Sequence, residues 1–146
     1  MLITADQIIS WRPCPDYPDG RVRQLVPGQG LTPLEIAALE IPHADRVWVL
    51  LRPEVLGEQG LQVALDRIAV RTVTNHALHC RVPVVEGWAQ RWLDGTDRTE
   101  APATGTAVPA TRWLPLAGFL GLIGDAGDLE HMLQLYDIVH VLEGRP

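Results

Sequence analysis

The sequence predicts an all-α fold, a compact bundle of about five to seven short helices with a Pro/Thr-rich loop before the last of them. Three observations carry this expectation. Apolar residues recur at helical spacing in several windows, and no stretch alternates convincingly as a strand would. Residues that start and stop helices bracket those windows. The chain has 146 residues, 47% of them apolar, and a chain of that length buries a sufficient core without a disulfide or metal staple. A single domain over 1–146 is expected, with no internal repeat.

The elements follow in order. "TADQIISW" (4–11) opens with Thr4 and carries Gln7 three residues on, a capping-box pattern for a short first helix. "RPCPDYPDG" (12–20) ends it with three prolines, and "RVRQLV" adds at most one further turn. "LTPLEIAALE" has the clearest start: Thr32 as N-cap, Pro33 at the first helical position and Glu35 three residues after the cap. Leu34, Ala37, Ala38 and Ile41 are the expected inner face. Pro42 opens the next helix, whose stripe is Ala44, Val47, Trp48, Leu51 and Val55, with Val49 and Leu50 off it. Pro53 disfavours α geometry at Arg52 and stops or kinks this helix.

Residues 57–79 predict the longest helix, with Leu61, Leu65, Ile68, Ala69, Val73, Ala77 and Cys80 on its apolar face. The run Val70, Thr72, Val73, Thr74 is β-branched, and weakness or interruption is expected there. "PVVEGWAQRWLDG" (83–95) begins at a proline, stops at Gly95, and puts Val85, Trp88, Ala89 and Trp92 on one face. Residues 96–111, rich in Thr, Ala, Pro and Gly, read as a flexible loop or linker within the domain. "RWLPLAGFLGLI" (112–123) is an apolar helical piece broken by Pro115 and glycines. Residues 128–144 form a better helix, capped by Asp128 and lined by Leu129, Met132, Leu133, Tyr136, Val139 and Leu142.

Charge bounds the function classes. All 12 basic residues are Arg, a bias that points to a GC-rich genome such as that of an actinobacterium, a pseudomonad or one of their phages. The net charge of −6 argues against direct nucleic-acid binding, which needs clustered cations. The acids are concentrated late: residues 115–146 hold five acids against one Arg. The start lacks the basic and apolar regions of a signal peptide, and the longest apolar run, 113–124, is too short to span a bilayer. A cytoplasmic protein with Cys14 and Cys80 as free thiols is expected, without a cofactor.

Candidate chemistry is sparse. "HALHC" (76–80) brings His76, His79 and Cys80 together, and Cys14 or His43 could complete a zinc site. The spacing matches no known ligand signature, so ordinary helix-end packing is the favoured reading. Glu130, His131, Asp137 and His140 pair carboxylates with imidazoles as general acid–base catalysis requires. No nucleophile or oxyanion donor set accompanies them, and no catalytic role is assigned. Phosphate loops, dinucleotide-binding glycine fingerprints and HExxH are absent. The five Trp against one Phe read mostly as core, with one or two as interface anchors.

"LTPLEIAALEIPHADRVWVLLRPEVL" and the later "RVPVVEGWAQRWLDGTDRTEA" together resemble segments of the small helical immunity proteins of bacterial toxin-immunity and prophage loci, over roughly residues 30–100. The C-terminal half departs from that group, which continues with a long alanine-rich helix. The resemblance implies a binding protein and carries no catalytic residues to transfer. The expectation is a non-enzymatic inhibitor that occludes a larger protein, either a toxin antidote or a phage-encoded antagonist of a bacterial defence system of the anti-CRISPR type. Its partner would present a basic, nucleic-acid-handling surface. Asp128, Glu130 and Asp137 would steer association, and Trp48, Trp88 and Trp92 would anchor it. The rivals are a self-assembling phage accessory protein that forms homodimers, and a small metal-dependent enzyme.

Overall fold

The computed structural model describes residues 1–78, 83–96 and 127–144. These residues form seven α-helices and one π-helical turn, and none of them lies in a β-strand. The predicted piece at 112–123, most of the loop at 96–111, and Trp113, His79 and Cys80 lie outside the described residues. Among the described residues no helix is long and apolar enough to cross a membrane. The chain divides into two compact units: Met1–Ala64 with Asp128–Pro146, and Leu65–Gly127.

The first unit begins with α1 (Ala5–Ser10), α2 (Asp19–Leu25), α3 (Pro33–Ala37) and α4 (His43–Leu50). Thr4 caps α1 as expected, its hydroxyl accepting from the Gln7 amide at 3.2 Å. Trp11 closes that helix, and Arg12 then takes a left-handed φ of 57°, a costly conformation for a residue with a Cβ. The turn that follows is shorter than predicted, because α2 already begins at Asp19. Thr32 and Glu35 make the full capping box on α3, which satisfies two otherwise orphaned donors. Pro42 starts α4 and Leu51 caps it, so the break before Pro53 falls where the sequence places it.

Gly30 is required by its position. Ile3 and Leu31 form an isolated antiparallel bridge, with Ile3 fully buried. Gly30 has φ +109°, and a Cβ there would stand 2.5 Å from the Ile3 carbonyl oxygen. Backbone meets backbone, so no side chain can yield to relieve the clash.

The buried faces of α3 and α4 differ from the predicted stripes. In α3, Ile36 is buried while Leu34 and Ala38 are exposed. The helix is only five residues long, so a periodicity read through to Ile41 does not apply. In α4, Val47, Val49 and Leu50 are buried, and Trp48 is 37% exposed. Val47 and Val55 of the predicted stripe are buried, but so are the off-stripe Val49 and Leu50, while Trp48 is not. A helix apolar nearly all round has no unique inner face in its pattern.

Helix α5 (Pro53–Thr72) runs from the first unit into the second. It begins four residues earlier than predicted and bends at Gly57, whose φ of 69° and ψ of 164° are not helical. The β-branched run interrupts the helix as expected: Val73–Ala77 winds as a π-helical turn. Thr72 Oγ1 donates to the Ile68 carbonyl at 2.7 Å and Thr74 Oγ1 to Val70 at 2.8 Å. Hydroxyls back-bonded to i−4 carbonyls compete with the amide ladder and favour such local widening.

In the second unit, α6 (Pro83–Leu93) packs on the π-helical turn. Val85, Trp88, Ala89 and Trp92 are all buried with Ala69 and Val73, which is the predicted face. The Trp88 and Trp92 rings lie 6.3 Å apart at 44°. In the first unit, α7 (Gly127–Leu142) has Val141 near Gly60, where a Cβ would come within 3.6 Å of it. Its predicted face is incorrect. Leu129, Met132 and Tyr136 are 56%, 42% and 59% exposed, whereas Glu130, Gln134, Leu135, Asp137 and Ile138 are buried. Gln134 Nε2 donates to Glu130 Oε1 at 3.3 Å, and Asp137 is likewise partnered. Counting apolar residues misplaces a face whose carboxylates are compensated inside the fold.

Candidate functional site

Of the six residues proposed as a partner surface, two are accessible. Asp128 is exposed, and its Oδ1 lies 3.0 Å from His43 Nδ1, tying the start of α7 to the start of α4. Trp48 stands at the surface. Glu130 and Asp137 are buried and cannot present charge to a partner, and Trp88 and Trp92 belong to the core of the second unit. The side chain of His76 lies outside the described residues, as do His79 and Cys80. Among the described residues no group of three or more His, Cys, Asp or Glu is arranged to hold a metal ion. Neither ring nitrogen of His140 has a hydrogen-bond partner, so the Asp137–His140 pair required for acid–base chemistry is not formed. His140 instead packs on Tyr136, with ring centroids 4.4 Å apart.

The site that assembles lies elsewhere, in the first unit. A cleft of about 250 Å³ opens among α1, α2, α3, α4 and the turn between α1 and α2. Its walls are mostly apolar: Ile8, Val22, Val26, Ile36, Ala44 and Val49 form the floor and sides. Asp45 is the single charged residue in the lining, beside Tyr17 and the exposed thiol of Cys14. The turn brings these two residues to the wall, with the Tyr17 amide donating to the Cys14 carbonyl at 2.9 Å. Pro13, Pro15 and Pro18 hold the backbone out of helix and keep Tyr17 facing α4.

Tyr17 and Asp45 form one polar unit. The phenol donates to Asp45 Oδ2 at 2.5 Å. Burial, then the hydrogen bond to Asp45 and the charge of Asp45, push the Tyr17 hydroxyl up to about 12. The phenol therefore stays protonated at neutral pH. The exposed Arg21 lies over the outer face of the Tyr17 ring, 4.6 Å from its centroid.

Trp48 forms part of the lining and reaches the rim. Arg52 is sandwiched between two indoles, 4.1 Å from the Trp48 centroid and 4.6 Å from that of Trp11. Its Nε also donates to the Trp48 carbonyl at 3.1 Å, satisfying an end group of α4. Burial lowers the Arg52 pKa. Each cation–π contact contributes about 0.5–1 kcal/mol at such half-exposed positions, and together they hold an exposed Trp in one orientation.

Sequence reasoning missed this site because its parts come from five separate segments between residues 8 and 49. The signal that could have found it is a lone Tyr and Cys among prolines, where a purely structural turn has no need of either.

No family model, no curated protein and no solved structure matches the chain.

Proposed function

We propose that the protein is a non-enzymatic inhibitor, of immunity or anti-CRISPR type, that acts in the cytoplasm by binding and occluding a target protein. The observation that carries the reading is the composition of the cleft in the first unit. Tyr17 and Trp48 line it, Tyr17 with Arg21 on its ring and Trp48 with Arg52, which also stacks on Trp11. Trp, Tyr and Arg are the residues that dominate binding energy at interfaces, above all beside a pocket that a partner can fill. The stacking fixes Trp48 before the partner arrives, which lowers the ordering cost of association. Support also comes from the net charge of −6 and from the exposed Asp128, since acidic side chains speed approach to a basic surface. Toxin antidote and defence antagonist make the same physical demands on such a binder.

The test is affinity capture from the cell that makes the protein, with wild type and Trp48→Ala as baits at low and high salt. The reading expects one stoichiometric partner, weakened by salt and bound at least roughly 30-fold less tightly by the variant, as loss of a central Trp implies. No partner on wild type, or equal capture by Trp48→Ala, contradicts it.

One observation favours a second reading, self-assembly as a phage accessory protein: Leu129, Met132 and Tyr136 lie exposed at i, i+3 and i+7 along α7. Light scattering over a hundredfold concentration range tests it, and a constant monomer mass removes it.

A further inference from the structure

We infer that the cleft between α1 and α4 receives one hydrophobic group of about ten non-hydrogen atoms that carries a cationic nitrogen at its outer end. Resting on the inhibitor reading, this group is an aromatic side chain of the partner protein with an adjoining Lys or Arg.

Volume argues for a single anchor. At interior packing density a cavity of about 250 Å³ accommodates roughly ten non-hydrogen atoms. Pockets for whole cofactors and drug-sized ligands begin above that, near 300 Å³. One aromatic side chain fits. The walls agree: Ile8, Val22, Ile36 and Val49 offer apolar surface to a ring, and Trp48 stands ready to stack on it.

Charge argues for the cation. Asp45 is the single charged residue of the lining. Its one intramolecular partner is the Tyr17 hydroxyl on Oδ2, and a carboxylate has acceptor capacity for more than one donor. The phenol remains neutral, so the Tyr17–Asp45 unit carries one negative charge against an apolar wall. Arg21 and Arg52 stand outside the lining, stacked on Tyr17 and Trp48; at the carboxylate itself an anionic group is disfavoured, and a purely apolar one would strip water from it without replacing its hydrogen bonds. A cation beside the anchor makes a charge-assisted hydrogen bond instead.

The experiment uses three probes of one shape: 3-phenylpropylamine, 3-phenylpropanol and 3-phenylpropionate. Each is titrated into the full-length ¹⁵N-labelled protein, and amide shifts are followed by NMR. The inference expects shifts centred on Cys14, Tyr17, Ala44, Asp45 and Trp48, with the amine bound at least tenfold more tightly than the propionate. Asp45→Asn should abolish that preference while leaving propanol binding within about twofold. Ala44→Leu, which fills the cleft, should remove the binding of all three. Equal affinities for amine and propionate, a preference that survives Asp45→Asn, or shifts centred elsewhere would each overturn the inference. A second arm separates it from the inhibitor reading. Saturating 3-phenylpropylamine should release a captured partner protein, and a partner that stays bound overturns the assignment of the anchor to that protein. Absence of any partner, with amine-selective probe binding intact, would defeat the inhibitor reading and the side-chain source of the anchor while upholding the chemistry of the cleft.

Discussion

The Tyr17 hydroxyl donates to Asp45 Oδ2 at 2.5 Å, joining the proline-rich turn before α2 to the first turn of α4. The contact spans 28 residues of sequence and sets one wall of the cleft. Tyr17→Phe keeps the ring and removes the donor. It should cost about 1.5–3 kcal/mol, the range for a hydrogen bond to a charged acceptor, measurable by urea denaturation with an unchanged m-value.

The same pair makes stability depend on alkaline pH. Folding raises the Tyr17 pKa from 10.0 to about 12, so the folded state favours the protonated phenol. This contribution is fully present below pH 10 and is lost as pH rises through 10 towards 12. Thermal melts of wild type and Tyr17→Phe from pH 8 to 12 should therefore converge at the upper end. A difference that stays constant over that range would contradict the assignment.

Arg52 bridges two helical segments through its stacked indoles. Arg52→Ala should lose about 1–2 kcal/mol from two cation–π contacts and free the Trp48 ring. Arg52→Lys keeps the charge but not the planar stack, and should recover little of the loss. Trp fluorescence anisotropy and chemical denaturation report the two effects separately.

The cap on α3 gives a local prediction. Thr32 accepts from the Glu35 amide at 3.2 Å, while Glu35 Oε2 accepts from the Thr32 amide at 2.7 Å. Thr32→Ala should destabilise by about 1 kcal/mol. The Thr32 amide and hydroxyl hold the Glu35 carboxyl below its ordinary pKa. Its contribution is therefore present above the usual carboxylate range and lost as pH falls through the depressed value. Glu35→Gln should accordingly flatten the acid limb of the stability profile, as followed by circular dichroism.

Gly30→Ala should be the most damaging of the single changes, because a Cβ at φ +109° meets the Ile3 backbone. Combined clash and strain should cost more than about 2 kcal/mol, read as a drop in melting temperature. The same change at the solvent-facing Gly20, where a Cβ meets nothing within 4 Å, should leave it near wild type or raise it.

What the sequence revealed followed from the range of the interactions concerned. Caps, prolines and back-bonding threonines act over three or four residues, so Thr4, Thr32, Pro42 and the run from Val70 were readable where they stand. The inner face of α6 was readable because Trp88 and Trp92 stand out from a polar remainder. The inner faces of α3 and α7 were not, one helix being too short for a period and the other apolar on several sides. Glu130 and Asp137 were misjudged for a related reason: whether a carboxylate is a surface charge or a buried, compensated one depends on groups distant in sequence. The cleft is the extreme case, since Tyr17, Ile36 and Trp48 share no local pattern and meet only in the fold.

The most direct test of the central claim is amide hydrogen exchange on the protein with and without its captured partner. The account predicts new protection confined to the turn around Cys14 and Tyr17 and to α4 from Ala44 to Trp48. Protection on the outer face of α7 around Met132 and Tyr136, with the cleft unchanged, would contradict it.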